Sequence, residues 1–286
     1  MTSRRKVEHQ RRSLAEIREI MNSMKTLAYM ETRKLSPRLD AQCSVRSNIE
    51  TVAADFVSSM PTLLTPQASR RHGYVLIGSE RGFCGDFNES LIRHMDEIEK
   101  HHAPEPGVAV IAIGHKLCTR LADDKRADAF LDGAGVAEEA GAVLSRIVAA
   151  LDEMQGRYGT LAVHALYHAV GEQDVVKRQL LPAFQQPVSA MPEFQIPPIL
   201  NVEPDQLLLE LLDHYLFAVL DEIICASLMA ENHRRAQHLE GAIRHLDEES
   251  DELKRRSNAL RQEEIIEEIE VILLSAANFS GTELRQ

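Results

Sequence analysis

Apolar residues recur every seven positions near both ends of this chain. Toward the C-terminus the repeat is Leu239, Leu246, Leu253 and Leu260, with Ile243 four after the first and Ile265 and Ile269 carrying the stripe onward. After Pro204 no proline follows, and the only glycines are Gly241 and Gly281. An unbroken run with apolar heptads predicts one continuous helix that lies along another helix, placed at 204–283. At 1.5 Å per residue, some 75 residues would span roughly 110 Å, whereas the usual helix has about a dozen residues. At the other end, Leu14, Met21, Ala28 and Leu35 repeat at seven, with Ile17, Met24 and the polar Glu31 three further on. This predicts a second long helix over 1–60, bent or perturbed at Pro37. Its apolar spacing resumes at Ile49, Val52, Ala53, Phe56 and Val57, and the stretch Ser58–Pro61 with Pro66 reads as a stop and linker.

The middle of the chain changes period. Tyr74–Ile77, Val108–Ile113, Leu161–Tyr167 and Lys177–Leu181 are short apolar runs of strand type. Between them, 86–102, a weaker 115–122 and the strongly amphipathic Val136–Gln155 read as helices, with a loop between the last two. Strands alternating with helices predict a mostly parallel sheet covered on its faces, over 72–182. Six prolines (182, 187, 192, 197, 198 and 204) make an extended connector back to the long helix.

The order is therefore long helix, small α/β domain, long helix. The simplest topology is of the α/β plus α class. It is an antiparallel coiled coil of N- and C-terminal helices with a small, Rossmann-like α/β domain inserted in place of the connecting loop. The predicted register sets Leu14–Leu35 against Leu260–Leu239, with paired positions totalling about 275. Charge supports the pairing: residues 1–40 hold ten Lys/Arg against five Asp/Glu, and residues 240–270 hold five against eleven.

Composition narrows the classes. Hydrophobic residues are 44% and charged residues 27%, typical of a folding, water-soluble chain. The net charge of −12 argues against nucleic acid as the partner. No apolar run approaches a membrane span, and the basic N-terminus is not followed by the apolar stretch of a secretory signal. Cys43, Cys84, Cys118 and Cys225 are scattered, which predicts free thiols in a reducing compartment.

Candidate chemistry is sparse. The segment Gly78–Asn88 sits at a strand-to-helix turn, where nucleotide enzymes keep phosphate loops, but it holds neither GxGxxG nor GxxxxGK[ST]. Asp86 at the helix start would repel phosphate. A tight structural turn is the better reading. Cys84 has no base or orienting acid assigned by the sequence, so it reads as a buried thiol. His233, His238 and His245 make no metal-binding spacing. No catalytic residue, cofactor or metal is expected.

Four blocks nevertheless resemble a known family, the gamma subunit of rotary F-type ATP synthases. Ile20–Ala28 followed by Arg33-Lys34 is similar to I-T-x-A-M-x-x-V-A-A and its basic pair. Ser79-Glu80-Arg81-Gly82-Phe83-Cys84-Gly85 resembles S-D-R-G-L-C-G, and Lys177-Arg178-Gln179-Leu180-Leu181-Pro182 falls where the family has Q-x-L-L-P after its third strand. Leu260–Ile269 is similar to A-R-Q-x-x-I-T-x-E-I. The departures Glu80, Phe83, Asp86 and Ile266 mark a divergent branch, such as an alternative, sodium-type ATPase. The resemblance implies a non-catalytic central-stalk rotor that couples ion-driven rotation to ATP synthesis or hydrolysis. It implies alpha and beta subunits, epsilon and the c-ring as partners, at the cytoplasmic face of the bacterial inner membrane and peripheral to it. It also implies that Arg261, Gln262, Met24 and Lys25 touch beta subunits. Residue patterns alone leave two other readings open: a structural coiled-coil adaptor in an unrelated complex, and a small α/β enzyme with helical arms.

Overall fold

A computed structural model describes residues 4–60, 71–102, 108–122, 126–172, 174–184 and 199–282. The proposed linker at 61–70 and most of the proline-rich connector lie outside the described residues. Helix α1 runs Arg4–Ser59 straight through Pro37, and helix α5 runs Pro204–Thr282. Both long helices therefore form. The chain divides into two compact units, residues 1–26 with 237–286, and residues 27–236.

Among the described residues the first unit contains only helix. Val7 of α1 and Leu239 and Ile243 of α5 are buried, and the helices run antiparallel with cross-helix ion pairs. Arg4 Nη1 donates to Glu264 at 2.8 Å, and Arg18 Nε donates to Asp247 at 2.5 Å. The predicted register places Arg18 some ten residues further along α5 than Asp247, and Arg4 seven further than Glu264. The observed pairing is therefore displaced by about one heptad. The physical reason is that a heptad seam repeats on itself, so Leu-to-Leu matching is satisfied at every multiple of seven and charge decides among them. The seam is also shorter than its sequence stripe. Ile17 is 46% exposed, and Ile265 and Ile269, beyond the Arg4–Glu264 pair, are 45% and 50% exposed.

The second unit is a five-stranded sheet wrapped by helices. Strand β1 (Arg71–Ile77) is followed by α2 (Phe87–His102), β2 (Ala109–Ile113) and α3 (His115–Leu121). Then come β3 (Ala129–Leu131), a 3₁₀ turn at Ala137–Glu139, α4 (Ala140–Tyr158), β4 (Leu161–Tyr167) and β5 (Val176–Leu181). The strand order is β3-β2-β1-β4-β5, parallel except for the antiparallel edge β5. Strand β3 falls where a loop was expected, since a three-residue edge strand carries no readable period. Helix α4 ends at Gly159, whose φ of 78° is a left-handed terminus that glycine adopts without strain.

Alternation along the strands builds two cores. Val75, Ile77, Ile111, Ile113, Val163 and Ala165 face α4, α5 and Leu35 of α1. Tyr74, Leu76, Val110, Ala112 and Leu166 face α2 and α3. Both faces are covered, which is why the strands read as near-continuous apolar runs. The first face also carries an ion network. Arg38 donates to the buried Asp221 at 2.7 Å, while Glu222 receives Arg46 at 2.5 Å and Arg178 at 3.0 Å. These bonds tie α1, β5 and α5 together.

Candidate functional site

The loop between β1 and α2 is held by a dense set of buried polar contacts. Gly78 opens it, and its amide donates to Ile113 O at 2.9 Å. A Cβ at this position would lie 2.4 Å from Leu117 Cβ and 2.7 Å from Asn88 Oδ1, so only glycine lets α3 approach. Ser79 N donates to Asn88 Oδ1, and Asn88 Nδ2 donates to Ser79 Oγ, both at 2.9 Å. This pair closes the loop onto the start of α2. The Glu80 carboxylate reaches sideways and accepts from His115 N at 2.9 Å and Gly133 N at 2.7 Å. One acidic side chain thus ties together the segments that follow β1, β2 and β3. Phe83 has a φ of 65°, a left-handed conformation unusual for an aromatic residue, and is half exposed.

Helix α5 holds this loop from the other side. The Glu231 carboxylate accepts from Glu80 N and Arg81 N, each at 3.0 Å. Arg235 forms an ion pair with Glu231 one turn earlier. It also donates to Gly82 O at 3.0 Å and to Asn232 Oδ1 at 2.7 Å. Glu231, Asn232 and Arg235 are all buried. Burial pushes the Glu231 carboxyl up, against the pull of Arg235 and the two amides. Cys84 is buried beside them, and desolvation pushes its thiol up to about 12. It is therefore a neutral thiol, as read from sequence, rather than an activated nucleophile.

A second group flanks the loop. His168, 1% exposed, donates from Nε2 to Phe87 O at 3.0 Å and receives Arg234 Nη2 at Nδ1 at 3.4 Å. Its ring is thus the neutral Nε2–H tautomer. Arg234 also bridges to Asp86 at 3.0 Å. The Asp86 carboxylate, expected to work against phosphate, is held here by an arginine of α5.

The four residues expected to touch partners all lie in the first unit. Arg261 and Gln262 are exposed on α5, while Met24 and Lys25 are half-buried on α1. The structure does not bring the two pairs together. Given the pairing of Arg18 with Asp247, Met24 lies roughly 30 Å along the axis from Arg261. Beyond Gln262 the exposed Ile265, Ile266 and Ile269 alternate with Glu263, Glu264, Glu267, Glu268 and Glu270. At 271–274 four aliphatic residues follow in succession, 64–67% exposed and so distributed around the whole helix.

Sequence reading missed Glu231, Asn232 and Arg235. Helical periodicity gives buried polar residues no distinct signature. The available clue was the cluster Glu231-Asn232 and Arg235, one turn apart, directly after the apolar stretch Ile223–Ala230. Among the described residues no helix is long and apolar enough to cross a membrane.

Comparison with known proteins adds a family. A family model described as ATP synthase matches residues 3–278. The ATP synthase gamma chain of Saccharopolyspora erythraea is 24% identical, over 99% of this chain and 100% of that one. A chain of the Euglena gracilis mitochondrial ATP synthase rotor superposes with a TM-score of 0.62 at 14% identity, covering 92% of this chain and 98% of that one. A chain of the Euglena OSCP/F1/c-ring assembly gives 0.63 at 16% identity, covering 98% and 95%.

Proposed function

Because the chain belongs to the ATP synthase gamma-chain family, we propose that it is the central-stalk rotor of an F-type ATP synthase, coupling ion-driven rotation to ATP synthesis or hydrolysis. The chain itself is non-catalytic. The observation that carries this reading is the end of α5. Seven large aliphatic side chains between Ile265 and Leu274 are exposed, the last four in succession around all sides of the helix, in a chain of net charge −12. A helix apolar all round is one built to be enclosed. A ring of alpha and beta subunits offers such an enclosure, and a bearing surface of this kind needs no specific polar contacts.

The remaining parts follow the same reading. Residues 1–60 and 204–283 form the antiparallel coiled-coil shaft, and 72–182 form a Rossmann-like domain, consistent with the order β3-β2-β1-β4-β5. That domain faces epsilon and the c-ring. The assembly sits at the cytoplasmic face of the bacterial inner membrane, with the chain peripheral to it. Arg261 and Gln262, exposed just before the apolar end, and Met24 and Lys25, lower on the shaft, contact beta subunits at different heights. An asymmetric shaft presents different faces to otherwise equivalent subunits, and only such differential contacts can shift their conformations.

Purifying the tagged chain from its native membrane tests the assignment. The expected result is recovery of alpha and beta ATPase subunits in stoichiometric amount; their absence overturns it. In the same complex, Arg261→Ala with Gln262→Ala is expected to lower coupled ATP turnover while leaving assembly intact. Unchanged turnover would remove these two residues from the contact surface.

A further inference from the structure

In open α/β sheets, ligands settle outside the carboxyl ends of the strands where the strand order reverses. In this sheet the reversal lies between β1 and β4, and the loop that follows β1 is Gly78–Asp86. Two successive backbone amides of that loop, Glu80 N and Arg81 N, donate to the two oxygens of one carboxylate, Oε2 and Oε1, each at 3.0 Å. Successive amides converging in this way form an anion-binding concavity. A buried guanidinium, Arg235, stands on the same anion and braces the loop through Gly82 O at 3.0 Å. The donor set of two amides and an arginine is that of an oxyanion site. Its occupant is the side chain of Glu231, contributed by α5.

We propose that the β1–α2 loop is an anion cradle permanently filled by the chain's own Glu231 carboxylate. The missing phosphate-loop motif and the internal occupant have one cause. The sheet's ligand crevice serves here as the clip that fastens the loop to the long helix. The loop's left-handed Phe83 is held by the same bonds, since Arg235 secures the carbonyl just before it. The inference is independent of the rotor assignment, because it concerns only contacts within residues 27–236.

Emptying the cradle tests it. Glu231→Ala removes one methylene and the carboxylate, which acetate replaces atom for atom. In the full chain, the thermal midpoint of Glu231→Ala is expected to rise in sodium acetate over equal sodium chloride by about 3–6 °C at ten times the dissociation constant. The unsubstituted chain should show no such difference. Adding Arg235→Ala should abolish the acetate-specific gain, because the guanidinium half of the site is gone. Glu231→Gln should also fail to respond, since its amide fills the space. Should Glu231→Ala be unfolded in chloride, refolding from urea in acetate against chloride gives the same readout as recovered folded fraction. Equal behaviour of Glu231→Ala in the two salts, in midpoint or in recovery, overturns the proposal. So does an acetate gain that survives Arg235→Ala.

Discussion

His168 shows how a single residue's environment fixes its charge. Desolvation by burial pulls its pKa from 6.5 to about 4, with the nearby Arg234 pulling the same way and the Phe87 carbonyl opposing. The unfolded chain then takes up a proton near the ordinary value while the folded chain does not. Stability is therefore complete above about pH 6.5 and is lost as pH falls through about 4, by at most about 3 kcal/mol. Urea unfolding at pH 7 and pH 4.5 is expected to show this loss in the unsubstituted chain. His168→Gln, which keeps a donor for Phe87 O and does not titrate, should flatten it. A residue of this kind is illegible from sequence: His168 follows an apolar strand like many surface histidines, and only the fold around Phe87 and Arg234 decides its state. Cys84 was easier, because an isolated cysteine without an assigned base reads as a buried thiol.

At the scale of elements, the long helices, β1, β2, β4 and β5 were legible because each carries a period over enough residues. Leu161–Tyr167 and its bounds could be read directly. Strand β3 could not, being three residues at a sheet edge. The register of α1 on α5 was misplaced by about a heptad, since Leu246 and Leu253 offer the same surface to any partner one repeat away. The pairs Arg4–Glu264 and Arg18–Asp247 supply what the stripe lacks. A second set of ion pairs fastens α1, α5 and β5 at Glu222, whose side chain is 11% exposed. Glu222→Ala leaves Arg46 and Arg178 sharing only the more exposed Glu50. The expected loss of stability is about 3 kcal/mol, read by denaturant midpoint. Replacing an exposed acid such as Glu249 should cost less than about 0.5 kcal/mol.

The whole molecule joins a helical unit, apolar at its exposed end, to a sheet-bearing unit rich in internal ion pairs. Sequence alone could identify a rod with an attached α/β domain, because periodicity reports which face of a helix is buried. It could not say what the rod is for. That required the four blocks of family resemblance, and it is strengthened by the exposed aliphatic residues beyond Gln262, of which periodicity had assigned Ile265 and Ile269 to a continuing seam. The clip of Glu231 and Arg235 onto the β1–α2 loop also belongs to this scale. It fixes part of the sheet-bearing unit to the helix on which a rotor would turn. A rotor subunit must turn, and its turning can be watched directly. The full chain would be assembled with its alpha and beta subunits, the ring fixed to a surface, and a bead attached at exposed Ser145 on α4 through a Ser145→Cys substitution. Sustained rotation of the bead in one direction is expected when ATP is supplied. ATP hydrolysis by the assembled ring while the bead stays still would contradict it.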